Sequence, residues 1–118
     1  MNPNKLLAAG IPVGSAKAIA GDIGTGLTAA GSTAADAYAI AHDVNVFGTV
    51  ASSTGAILPA NVPAGTAVII QNGGANALTV YPHDGGTVNG GASESLDTTT
   101  ASEFRRVSSS AWIAILGA

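Results

Sequence analysis

Thr66-Ala67-Val68-Ile69-Ile70-Gln71-Asn72-Gly73-Gly74-Ala75-Asn76-Ala77-Leu78-Thr79-Val80-Tyr81-Pro82 is the stretch on which the fold turns. Its first part, Thr66–Gln71, is a nearly continuous apolar run, the pattern of a central strand buried on both faces. Asn72-Gly73 is the strongest short hairpin signal, because both central residues of the tightest hairpin turns need positive φ. Leu78 and Val80 then alternate with Thr79 and Tyr81, and Pro82, which has no N–H to donate, ends the pairing. Two strands joined by Asn-Gly predict an antiparallel pair.

The same reading extends in both directions. On the C-terminal side, His83-Asp84-Gly85-Gly86 is a turn and Thr87-Val88-Asn89 a short strand before Gly90-Gly91. Ser93–Thr100 is polar. Glu103–Val107 is a strand with Phe104 and Arg106 on one face and Arg105 and Val107 on the other. Ser108-Ser109-Ser110 turns the chain into Ala111–Leu116, where Trp112, Ala114 and Leu116 oppose Ile113 and Ile115. On the N-terminal side, Ala56-Ile57-Leu58-Pro59 is a short strand. Val44, Val46, Gly48 and Val50 alternate with Asn45, Phe47 and Thr49. Gly31–His42 reads as strand rather than as an Ala-rich helix capped by Ser32 or Thr33. Seven to eight short strands at regular spacing, with Gly, Pro and Asn between them, predict an all-β fold: a small antiparallel β-sandwich or barrel-like core over residues 36–118. No exact internal repeat is visible, which argues against a solenoid.

Residues 1–35 differ in character. Gly10, Gly14, Gly21, Gly24, Gly26 and Gly31 are too dense for a stable helix or strand, with one turn of helix expected around 15–20. Leu6, Leu7, Ile11, Val13, Ile19, Ile23 and Leu27 are spaced apolar anchors that a solvated tail would not need. The segment reads as an extended N-terminal arm laid over a partner, where each buried anchor is worth about 1.5–3 kcal/mol before the cost of ordering.

Composition narrows the function. The 118 residues fit one domain, and about two-thirds of the unfolded surface can be buried at this size. Hydrophobic residues are 47%, yet 16 glycines and many alanines leave the core to a few large side chains. Phe47, Val68, Ile70, Leu78, Val80, Tyr81, Phe104, Arg106 and Trp112 are the candidates for the core and for contacts between subunits. Charged residues are only 9% and the net charge is −3. Nucleic-acid binding needs several cations facing phosphates, and a polybasic membrane patch needs the same, so neither partner is expected. Low net charge favours association. Cysteine is absent, so disulfides and thiolate chemistry are excluded. No apolar run reaches transmembrane length, and Gly10, Pro12 and Gly14 interrupt the only stretch resembling a signal peptide.

The titratable inventory supports no enzyme. His42-Asp43 and His83-Asp84 are sequence neighbours, and neighbours on a strand point to opposite faces. Asp84 in a turn serves local backbone bonding more readily than catalysis. Two histidines among scattered carboxylates lack metal-ligand spacing, and Gly21-Asp22-Ile23-Gly24-Thr25-Gly26 lacks the Lys-Ser/Thr of a phosphate loop. No metal and no cofactor are expected. Arg105 and Arg106 read as edge charges, one of them available to a carboxylate of a neighbouring subunit.

The strings Val68–Pro82 and Gly85–Gly90, with Leu27–Ser32, Thr54–Pro59 and Ser109–Trp112, resemble small virion proteins of tailed bacteriophages. The resemblance spans roughly residues 27–116 and rests on packing and turn motifs. It implies a β-rich decoration (cement) protein on the outer surface of the capsid, a homo-oligomer expected to be a trimer, with the major capsid protein as partner. On that reading the arm makes the capsid contact through Leu6, Leu7, Ile11 and Val13, with Lys5 and Lys17 facing acidic groups. Many weak contacts from one oligomer then add up to tight attachment. A tail-fibre or receptor-binding module for host glycan is the alternative. Its platform would be Trp112, Tyr81 and the Ser93–Thr100 loop. A host-encoded structural β-protein is a third reading.

Overall fold

In a computed structural model, the structure describes residues 22–116. Among the described residues ten strands form two sheets, and β1 to β9 alternate between them. Strands β1 (Ile23–Thr28), β3 (Val44–Thr49) and β5 (Ala67–Asn72) lie side by side in one sheet. Strands β2 (Tyr38–Ala39), β4 (Gly55–Ile57) and β6 (Leu78–Tyr81) lie side by side in the other. All four neighbouring pairs in these two sets are parallel. The chain therefore winds as a coil, crossing from sheet to sheet at each corner, and one turn takes roughly 20–25 residues. This is a solenoid-like arrangement, not the expected antiparallel sandwich or barrel.

Corners stack as well as strands. Gly73 N–H donates to Phe47 O at 2.8 Å, Ala29 N–H to Thr49 O at 3.0 Å, and Leu58 N–H to Tyr81 O at 2.9 Å. Each bond joins one turn of the coil to the next and satisfies backbone that would otherwise be orphaned at a corner. The winding then stops. Strand β8 (Glu94–Leu96) pairs antiparallel with β6, and β9 (Thr100–Ser108) pairs antiparallel with β5. Strand β10 (Ala111–Leu116) forms a hairpin with β9 and pairs in parallel with β7 (Thr87–Val88). The sheets are thus ordered β1-β3-β5-β9-β10-β7 and β2-β4-β6-β8.

The parallel winding overturns the hairpin expectation at Asn72-Gly73. Neither Gly73 nor Gly74 takes positive φ, so no tight hairpin turn forms. Instead Asn72 organises a corner. Its Nδ2 donates to Asn76 O at 2.8 Å and to Leu96 O at 2.9 Å, and its Oδ1 accepts from Gly74 N–H at 2.9 Å. Gly74 is required for close approach, since a Cβ there would lie 2.6 Å from the Val50 amide nitrogen.

The arm boundary at residue 35 is also corrected. Ile23–Thr28 is a full member of the six-stranded sheet, paired with β3. Between Gly31 and His42 both readings of the sequence are present in part. One turn of 3-10 helix, Ala34–Asp36, precedes β2. The N–H and Oγ1–H of Thr33 both donate to Asp36 Oδ1, at 2.9 and 2.8 Å, and these bonds hold the Asp36 carboxyl below the usual carboxylate range. The turn of helix expected around 15–20 lies outside the described residues.

The core sits between the sheets. Phe47, Val68, Ile70, Leu78, Val80, Phe104 and Trp112 are buried there with Leu58, Val88 and Leu96. Tyr38 meets Phe47 edge-on, with ring centroids 5.4 Å apart at 84°, the geometry that aligns one ring's positive edge with the other's negative face. Tyr81 is only half-buried, and its hydroxyl donates to Ser32 O at 3.3 Å. Strand β5 departs from expectation, because Ile69 is 41% exposed. A central strand of this sheet is buried on one face only.

Candidate interaction face

One clustered polar site lies inside. Arg106, read from sequence both as an edge charge and as a candidate for the core or a subunit contact, is 7% exposed. Its guanidinium fans out to four backbone carbonyls: Ala60 at 2.7 Å, Val62 at 2.6 Å, Ser108 at 3.0 Å and Ser109 at 2.6 Å. His83 is buried beside it. Trp112 Nε1–H donates to His83 Nδ1 at 3.0 Å, which places the imidazole proton on Nε2, and Nε2 donates to Ser109 O at 2.9 Å. Arg106, His83 and Trp112 therefore act together as a clamp on the chain segments around residues 60–62 and 108–110. The turn predicted at His83–Gly86 forms, closed by Gly86 N–H to His83 O at 2.8 Å. Trp112 is 1% exposed, so it presents no surface for a sugar and drops out of the platform of the glycan-binding alternative, which leaves the half-buried Tyr81 and the Ser93–Thr100 loop.

The partner of His42 is Asp22, twenty residues away, at 3.2 Å from Nδ1. The adjacent Asp43 is exposed. The His42–Asp22 pair ties the start of β1 to the start of β3, and the His42 ring covers Gly24, where a Cβ would fall 2.7 Å from Nε2. A small cleft of about 130 Å³ opens beside it, lined by Ile40, His42, Pro59, Val62 and Val68 among others. Among the described residues, no group of three or more His, Asp and Glu side chains gathers as a metal site would. Arg105 pairs within its own chain, Nη2 to Glu103 Oε2 at 2.7 Å and Nε to the same oxygen at 3.0 Å, with Nη1 on Gly65 O at 3.0 Å.

The feature that faces outward is a row across the six-stranded sheet. Ile23 pairs with Val44, Val44 with Ile69, Ile69 with Glu103, and Glu103 with Ile115. Cross-strand partners share a face, so these five side chains line up over roughly 19 Å at the ordinary strand spacing. Ile23 is 60% and Ile115 58% exposed. A second row runs beside it, Ala67–Arg105–Ile113. A shallow depression of about 250 Å³ opens among Ile69, Ala101, Glu103 and Ile115. Scattered exposed isoleucines are ordinary; here Ile23, Val44 and Ile69 adjoin across three strands, and Glu103 stands between them and Ile115.

Sequence reading named Ile23 only as an anchor of the arm, and named none of Val44, Ile69 and Ile115 as contact residues. Only the alternation of Ile113 and Ile115 against Trp112 was visible, without a sign of which set faced out. The residues named for the core or for contact between subunits, from Phe47 to Trp112, are buried in the core, except the half-buried Tyr81. Lys5, Leu6, Leu7, Ile11, Val13 and Lys17 lie outside the described residues. No helix among the described residues is long and apolar enough to cross a membrane. No family model, no curated protein and no solved structure matches the chain.

Proposed function

We propose that the chain is a structural virion protein, a capsid decoration or cement protein. It binds the outer surface of a phage head and stabilises the lattice as a homo-oligomer, with no catalytic role and no cofactor. The observation that carries this reading is the outward row Ile23–Val44–Ile69–Glu103–Ile115 on a sheet of a closely cross-linked coil. A lone soluble protein gains nothing from such a row, whereas an assembly protein needs it. The low charge and the resemblance to small phage virion proteins favour the same reading. The row serves contact between copies, and residues 1–20 serve the capsid, with Leu6, Leu7, Ile11 and Val13 as anchors and Lys5 and Lys17 facing acidic groups.

Copy number per particle tests this. Quantitative mass spectrometry of purified virions, ratioed to the major capsid protein, should give near one copy per capsid subunit. A handful of copies per particle would overturn the cement role. Deleting residues 1–20 should abolish capsid binding and leave a soluble core, and a truncated chain that still saturates capsids would remove the arm from the account.

A further inference from the structure

We propose that the outer face of the six-stranded sheet packs against the same face of a second copy of this chain, across a two-fold axis near the Glu103–Arg105 pair. Three observations point to this occupant. The first is charge. On the outer face the strands carry one acid and one base, Glu103 in the first row and Arg105 in the row beside it, each a third or more exposed. Under a two-fold, Glu103 of one copy faces Arg105 of the other and the reverse, so the patch complements itself. Residues 1–21 could answer Glu103 through Lys5 or Lys17 but contain no carboxylate for Arg105.

The second observation is area. Five strands about 20 Å long and the two-residue β7, about 4.8 Å apart, present roughly 500 Å². Two such faces bury roughly 1,000 Å², the least that a specific interface needs. The third is the state of the edges. A second copy could also join by extending a sheet, but each edge is blunted. Strand β1 is irregular in register on both sides of Leu27, with Gly26 at φ +64. Strands β2 and β7 have two residues each and β8 has three. The face is what remains available to a partner.

This deepens the assembly reading and fails separately from it: copy number tests the virion role, self-association tests the face. Sedimentation equilibrium of the full chain should show a concentration-dependent dimer in the micromolar range. Ile69→Lys and Ile115→Lys change exposed positions, so they should keep the circular dichroism of the parent while weakening association at least ten-fold. Glu103→Arg alone and Arg105→Glu alone should each weaken it, and the double exchange should restore it. A benzophenone side chain replacing Ile69 should cross-link two copies. A chain that stays monomeric, lysine variants that associate as tightly as the parent, or cross-links running only to residues 1–21 of the same chain would each overturn the proposal.

Discussion

Arg106 is a buried cation whose hydrogen-bond acceptors are all backbone carbonyls, and this decides what its loss would do. The acceptors on Ala60 and Val62 belong to a loop with two prolines, where no regular ladder can supply donors. Charged hydrogen bonds are worth about 1.5–3 kcal/mol, and each buried carbonyl left bare costs about 1–3 kcal/mol. Arg106→Met should therefore lower the urea-unfolding free energy by about 3 kcal/mol or more, while Arg106→Lys, with one nitrogen in place of three, should recover only part. Trp112, the single tryptophan, gives the fluorescence readout. The alternation on β9 separated Arg105 from Arg106 correctly. It also put Arg106 on the Phe104 face and so among the core candidates, but did not show what holds it there, because two of its four acceptors, Ala60 O and Val62 O, lie over forty residues away and carry no side-chain signature. Asp36 makes a smaller, exposed counterpart. Its carboxylate is held by two Thr33 donors, so the folded chain binds the proton less readily than the unfolded one. That contribution is present above the unfolded value and is lost as pH falls through the folded one. A carboxyl titration by NMR should place Asp36 low in the parent and raise it only part of the way in Thr33→Val, which keeps the backbone N–H donor and loses the hydroxyl.

The corner at Asn72–Gly74 sets how strands become a coil. Gly74→Ala puts a Cβ against the Val50 backbone nitrogen, which cannot move without breaking the stacked corner. We expect a loss of about 1–3 kcal/mol, as for other overpacked sites. Asn72→Leu should cost about as much for a different reason: Asn76 O, Leu96 O and Gly74 N–H all lose their partner. Thermal unfolding of both variants would check the pair, and a neutral Gly74→Ala would mean that the corner is not close-packed. The two substitutions also show why the strands were legible and their pairing was not. Alternation along a strand is the same whether its neighbour runs parallel or antiparallel. Asn-Gly offered a hairpin that its φ angles do not form, and the side-chain bonds that make it a corner reach Leu96, which no local pattern connects to it. The exposed face was hidden in the same way. An unbroken Ala-Val-Ile-Ile run reads as doubly buried, and only its place between β3, which it joins in parallel, and β9, which it joins antiparallel, shows that Ile69 looks out.

A coil built from stacked turns has a stability that is nearly a sum of nearest-neighbour contacts, so its ends should open before its middle. In the six-stranded sheet, β5 has a full partner on each side, four paired positions with β3 and six with β9. Among the described residues strand β1 has a neighbour on one side only, in irregular register, anchored by the Asp22–His42 contact. At the far end the Arg106–His83–Trp112 clamp holds β9 and β10 against the loops. Hydrogen exchange under native conditions should therefore protect β5 and β9 most and release β1 and β2 first, as one unit because they belong to the same turn. His42→Ala should speed exchange in β1 and leave β9 unchanged, which separates a local latch from a global loss of stability. Association through the outer face would modify this profile in one definite way. The Ile23–Ile115 row crosses β1, β3, β5, β9 and β10, so dimer formation should slow exchange in β1 more than in β2, whose sheet lies on the opposite side of the core. Equal rates in both strands at high and low protein concentration would be inconsistent with a partner on that face.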